Sequence, residues 1–147
     1  MAVDRTVEWS CERAVIAVCK ADTAITALGA TILHPYEDQG DADPPLVFAG
    51  TLTSQAPDDM EGSTFRDVQM AIVMETSMDA DDDGTGLHDL IAAVRAALTL
   101  TAISAAMAEF ADISLHGIAY GATEIDHDGD AHRREARMEA TIQCQSV

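Results

Sequence analysis

Between residues 64 and 98 the hydrophobic period of the chain changes from two to about 3.6, and the change falls across a run of aspartates. In 64–78, TFRDVQMAIVMETSM, Val68, Met70, Ile72 and Met74 point one way, and Gln69, Ala71, Val73 and Glu75 the other. That alternation predicts a strand with one apolar side. After the aspartates, Leu87, Leu90, Ile91, Val94 and Leu98 stand at i, i+3, i+4, i+7 and i+11, which predicts an amphipathic helix over about 85–98. A one-sided strand and a one-sided helix each need an apolar partner, so a layered fold follows.

The same two periods organise the rest. TVEWSCERAVIAVCK, 6–20, places Val7, Cys11, Ala14, Val15 and Val18 on one helical face, with Thr6 or Asp4 as its cap. ADTAITALG continues as a short second helix that stops at Gly29. LVFAGTLTS, 46–54, is a strand with an internal glycine, the mark of a bulge. Ile103, Ala106, Met107 and Phe110 suggest a further helical turn or two. ISLHGIAYGATEI, 113–125, is a strand, DHDGD a hairpin turn, and 131–145 a long closing strand. In that last strand Arg134, Ala136, Met138, Ala140, Ile142 and Cys144 share one face, and Arg133, Glu135, Arg137, Glu139 and Thr141 the other. The expected fold is α+β: a mainly antiparallel sheet of about four strands, with two or three helices packed on one face, as one domain over 1–147.

Charge excludes whole classes of partner. The chain has 26 acidic and 8 basic residues, a net charge of -18, and Lys20 is its one lysine. Such a surface repels phosphate backbones and anionic membranes, so neither specific nucleic-acid binding nor a membrane partner is expected. Cys11 and Cys19 lie two helical turns apart, beyond disulfide reach, and with Cys144 read as reduced, buried thiols of a cytosolic protein. Asp4, Glu8 and Glu12 interrupt the N-terminus as a leader, and no apolar run approaches membrane-spanning length.

The run TSMDADDDGTGLHDL, 76–90, invites two chemical readings. Asp79, Asp81, Asp83 and Gly84 fit the opening of a calcium loop, but the twelfth position, which should be a bidentate Glu, is Leu90 on the apolar helix face. A dinucleotide turn needs a third glycine where Asp89 stands, and its carboxylates would repel a pyrophosphate. The bland reading accounts for the residues better: a solvated bend whose carboxylates favour the following helix N-terminus, with Asp83 or Thr85 as cap. His34, His88, His116, His127 and His132 have no zinc-ligand spacing, and no nucleophile elbow is present. No catalytic residue, metal or cofactor is expected. Two polar connections, 34–45 and 55–63, are longer than a small scaffold needs, which suits contacts with neighbours.

The order of these elements resembles the tail-terminator (tail-completion, tail-to-head joining) proteins of long-tailed bacteriophages and phage-like particles. AVCKADTAITALGATILHPYEDQGDADPPLVFAG is similar to the family's opening, TFRDVQMAIVMETS to its central strand, GLHDLIAAVRAAL to the helix that follows, and GIAYGATEIDHDGDAHRREARMEATIQC to its closing hairpin. The connection at 99–112 is more extended than is common there. The resemblance implies a structural virion subunit, not an enzyme, assembled in the host cytoplasm. It implies a homo-oligomeric ring, commonly six-fold, at the head-proximal end of the tail, with the tail tube protein and a head–tail connector or neck protein as partners. DNA would pass through the ring without being held. Contacts are then expected at Trp9, at Tyr36, Glu37, Asp38 and Asp41, at Asp58, Asp59 and Glu61, at Asp81 and Asp82, and at Arg133 and Arg137. The alternatives are another neck, head-completion or minor tail component of similar fold, and a calcium-dependent binding module.

Overall fold

The computed structural model describes residues 6–34, 43–55, 65–108, 113–129 and 132–146. Its elements run α1 (Val7–Ala21), α2 (Thr23–Ala27), β1 (Thr31–Leu33), β2 (Leu46–Gln55), β3 (Phe65–Ser77), α3 (Thr85–Ala97), α4 (Leu100–Met107), β4 (Ile113–Asp128) and β5 (Arg133–Ser146). The fold is α+β, as expected, but among the described residues the sheet has five strands and there are four helices. The extra strand is β1, three residues that the sequence leaves without an alternating pattern long enough to recognise.

The strands lie in the order β1-β2-β3-β5-β4. Only β1 and β2 run parallel; every other neighbouring pair is antiparallel. β3 lies in the middle, its apolar side matched on one neighbour by β2 and on the other by the apolar side of β5. Its Met74 stands between Val47 and Ala136, its Ile72 between Ala49 and Met138, and its Met70 between Thr51 and Ala140. Met70, Ile72, Met74, Met138 and Ile142 are all less than 2% exposed. Burying each such side chain is worth about 1.5–3 kcal/mol. The bulge expected around Gly50 falls two residues later, between Thr51 and Thr53.

The helices cover this apolar face. Cys11, Ala14, Val15, Ile16 and Cys19 from α1, and Leu87, Leu90, Ile91 and Val94 from α3, complete one core with it. Thr6 caps α1, its hydroxyl accepting the N–H of Trp9. Asp22 both ends α1 and starts α2, its carboxylate accepting the N–H of Ile25. Gly29, at φ 77, stops α2, because only a glycine adopts that conformation without strain. Between α3 and α4 the chain turns by 67° at Leu98–Thr99, where the Thr99 hydroxyl accepts the N–H of Ala102. No single helix among the described residues is long and apolar enough to cross a membrane. Facing away from the helices, Leu33, Leu46 and Ala71 are buried as well, although the register puts them on the other side of the sheet.

Candidate functional site

Charge and polarity gather in two places: the aspartate loop between β3 and α3, and the sheet face that carries no helix. In the loop, Asp81 is turned inward. Its Oδ1 accepts the N–H of Gly86 at 2.8 Å, and its Oδ2 accepts the N–H of Leu87 at 2.9 Å and the hydroxyl of Thr76 at 2.8 Å. Burial works against the charge, but these donors, with Arg134 nearby, outweigh it and hold the carboxyl below its ordinary value. This corrects the expected cap. Gly84, at φ 82, occupies the N-cap position without a side chain, and Asp83 accepts the N–H of Thr85, at 2.9 Å. The orphan N–H groups of α3 that matter go to the aspartate reaching in from three residues before the cap.

Arg134 fastens the loop from the far side. Its Nε donates to the Asp81 carbonyl at 2.8 Å, and one terminal nitrogen donates to the Asp82 carbonyl at 2.9 Å. The other lies 2.8 Å from Nδ1 of His127. Met78 N–H donates to the His132 carbonyl, so the loop is also tied to the start of β5 through backbone. A cavity of about 340 Å³ opens beside it, lined by Leu28, Pro44, Pro45, Thr76, Asp81 and Leu90, among others. With both Asp81 oxygens engaged, the calcium template loses its third position. Among the described residues no three His, Cys, Asp or Glu side chains gather to hold a metal.

On the helix-free face, strand register makes rows of charge. Glu135 stands opposite Glu75 on one side and Asp126 on the other. Burial raises the Glu135 carboxyl above its ordinary value, and so do Glu75 and Asp126, while Arg137 opposes them. Arg133 offsets part of this row with an ion pair to Glu75 at 2.8 Å. One row along, Arg137 stands opposite Glu124.

The structure separates the residues expected at contacts. Trp9 is half-buried on α1, with the Arg13 guanidinium 5.0 Å over its ring. Asp82 is exposed and Asp81 is not. Arg133 and Arg137 lie on the helix-free face, far along the chain from Trp9. Tyr36, Glu37, Asp38, Asp41, Asp58, Asp59 and Glu61 fall outside the described residues. His127 faces Arg134 across the hairpin. His116 lies at a bulge, 3.1 Å from the Gln145 side chain and tilted against Phe65. Two polar residues escaped the sequence reading. Arg134 carried a signal, an arginine on the apolar face of a strand. Glu12 carried none: it is 4% exposed, and its Oε1 accepts the N–H and hydroxyl of Thr51 at 3.0 and 2.8 Å.

Comparison with known proteins agrees with this arrangement. Over 96% of its length, and with 100% of the other chain covered, the protein superposes on a chain of the virion of a native gene transfer agent (GTA) particle, with a TM-score of 0.63 and 16% identity. That likeness is one of fold. Comparison with curated protein sequences gave no match. A family model described as tail completion protein gp17 matches residues 13–143, which spans α1 through β5. The chain therefore belongs to the tail completion protein gp17 family, a family of structural virion tail proteins.

Proposed function

We propose that this chain is the subunit of a homo-oligomeric ring at the head-proximal end of a phage or phage-like tail, where it ends tail-tube polymerisation and offers the surface to which the head attaches. The observation that carries the reading is the family match from 13 to 143. Membership supplies tail completion; the ring and the end-stop are what that task asks of a small, 147-residue subunit. The work is geometric and uses no catalytic step. The net charge of -18 fits a conduit for DNA, because a wall of like charge does not hold a phosphate backbone. Assembly takes place in the host cytoplasm before the particle is complete.

Contacts with the tube protein and the connector or neck protein are assigned to the polar connections flanking β2 and to exposed groups such as Asp82 and Arg137. Asp81 is left out of that assignment, since its carboxylate is engaged inside the fold. Omitting the protein from an otherwise complete particle tests the proposal. Headless tails of excessive length are expected under electron microscopy. Tails of normal length that merely lack heads would assign the chain to the neck instead.

A further inference from the structure

Each open edge of the sheet contains a long stretch without charge. In a chain with 23% charged residues, β2, LVFAGTLTSQ, and residues 113–123 of β4, ISLHGIAYGAT, contain no Asp, Glu, Lys or Arg. Among the described residues β4 pairs with β5 alone, so its outer row of N–H and C=O groups is open. Among the described residues β1 covers β2 over Leu46–Phe48, and Glu12 takes the Thr51 N–H, which leaves 52–55 as a second open edge. The side chains there face solvent: Leu52 and Tyr120 are each 40% exposed, and Thr53, Ser114 and Ala119 are exposed too.

Sheets that end in solvent usually block their edges with charge, lysine above all. Over these two stretches that protection is absent, and the charges of β4 stand beyond its stretch, at Glu124, Asp126 and Asp128. Bulges at His116 and at Gly121–Ala122 shorten the regular part of the β4 edge to Gly117–Tyr120, and the β2 edge bends at Leu52. A docked strand is therefore short, and the apolar side chains must add to the main-chain bonds. The large exposed apolar residues are divided between the two sides: Leu52 on β2 and Leu28 just before β1, against Tyr120 and Ile125 on β4.

Charge identifies the occupant. Copies bearing -18 repel one another over most of their surface, and the uncharged edges are where they approach with least repulsion. The edges are unlike, so the contact is head-to-tail, the type that closes into rings when the rotation per subunit allows. We infer that the 117–120 edge of β4 docks on the 52–55 edge of β2 in a second copy of this chain, joining the two sheets edge to edge. This rests on the ring reading above and names the surface that builds the ring.

Light scattering on the full chain tests it, with thermal melts showing that each variant is folded. Wild type should form a multimer of the 15.6 kDa subunit, and Ala119→Glu or Leu52→Glu alone should reduce it to monomer. Ala119→Lys combined with Leu52→Glu should restore the multimer, whereas Ala119→Glu with Leu52→Glu should not. A multimer that survives both single glutamates overturns the edge contact and leaves the ring standing. A wild-type chain that stays monomeric at every concentration, and with tail tubes present, removes both. Ala119→Cys with Thr53→Cys gives a second readout that alters only small exposed side chains. Mild oxidation should produce a ladder of linked subunits on a non-reducing gel, and a single monomer band overturns the inference.

Discussion

The carboxylate of Asp81 accepts the backbone N–H of Leu87 at 2.9 Å, across a turn made by Gly84 in the left-handed conformation. This contact joins the end of β3 to the start of α3 and fixes the angle at which the helix meets the sheet. Gly86 belongs to the same arrangement, since a Cβ there would meet the Asp81 carboxyl carbon at 3.0 Å. A run that looks like surface acid thus contains one residue that organises the interior.

Asp81→Asn should therefore lower stability by about 1–3 kcal/mol at pH 7, because the amide cannot accept all three donors. The pH dependence has a definite sign. A carboxyl held below its ordinary value contributes stability above about pH 4, and that contribution is lost as pH falls through the lowered folded value. The gap between variant and wild type should close toward pH 3 in urea denaturation. Equal stability at pH 7 would count against Asp81 as the helix anchor.

Glu135 should behave in the opposite way. Its carboxyl is raised in the folded state, so the fold binds that proton more tightly than the unfolded chain does. Stability then falls as pH rises past the ordinary glutamate value, about 4.3, through the folded value. Glu135→Gln should raise stability at neutral pH by up to about 1 kcal/mol, since it removes like charges facing one another across two strands. The advantage should vanish in acid. A neutral-pH melt below that of wild type would contradict the argument.

Glu12 holds the bulge of β2 from inside the helix layer. Its Oε1 takes both the N–H and the hydroxyl of Thr51, while Oε2 is buried with no hydrogen-bond partner among the described residues. Glu12→Gln keeps the accepting oxygen and should change stability by less than Glu12→Leu, which strands a buried N–H at a cost of about 1–3 kcal/mol. The order of the two midpoints in guanidinium checks this. Equal midpoints would mean the contact is idle.

The three cysteines should be chemically silent in the native protein. All are buried, Cys19 is pushed up to about 12 by burial and by Asp22, and a thiol hydrogen bond with Cys144 together with burial raises Cys11. A chromogenic disulfide reagent should find almost no thiol natively and three per chain in denaturant. Rapid native reaction of one thiol would show that α1 opens from the sheet.

By itself the sequence determined the parts. Alternation in 68–75 and 134–144 gave the central strands and their buried faces, and the spacing from Leu87 to Leu98 gave α3 and its stripe. These patterns are legible because side-chain direction along one element depends only on its own period. Gly29 could be read as a stop for the same local reason. The tertiary structure decided what depends on distance across the chain. It joined β1 to β2 in parallel, drew Asp81 inward under Arg134 from 53 residues away, set Glu12 on Thr51 across 39, and put three carboxylates in one row. A hydrogen bond or a charge row between remote segments has no period along the chain, so only the register of the assembled sheet creates it.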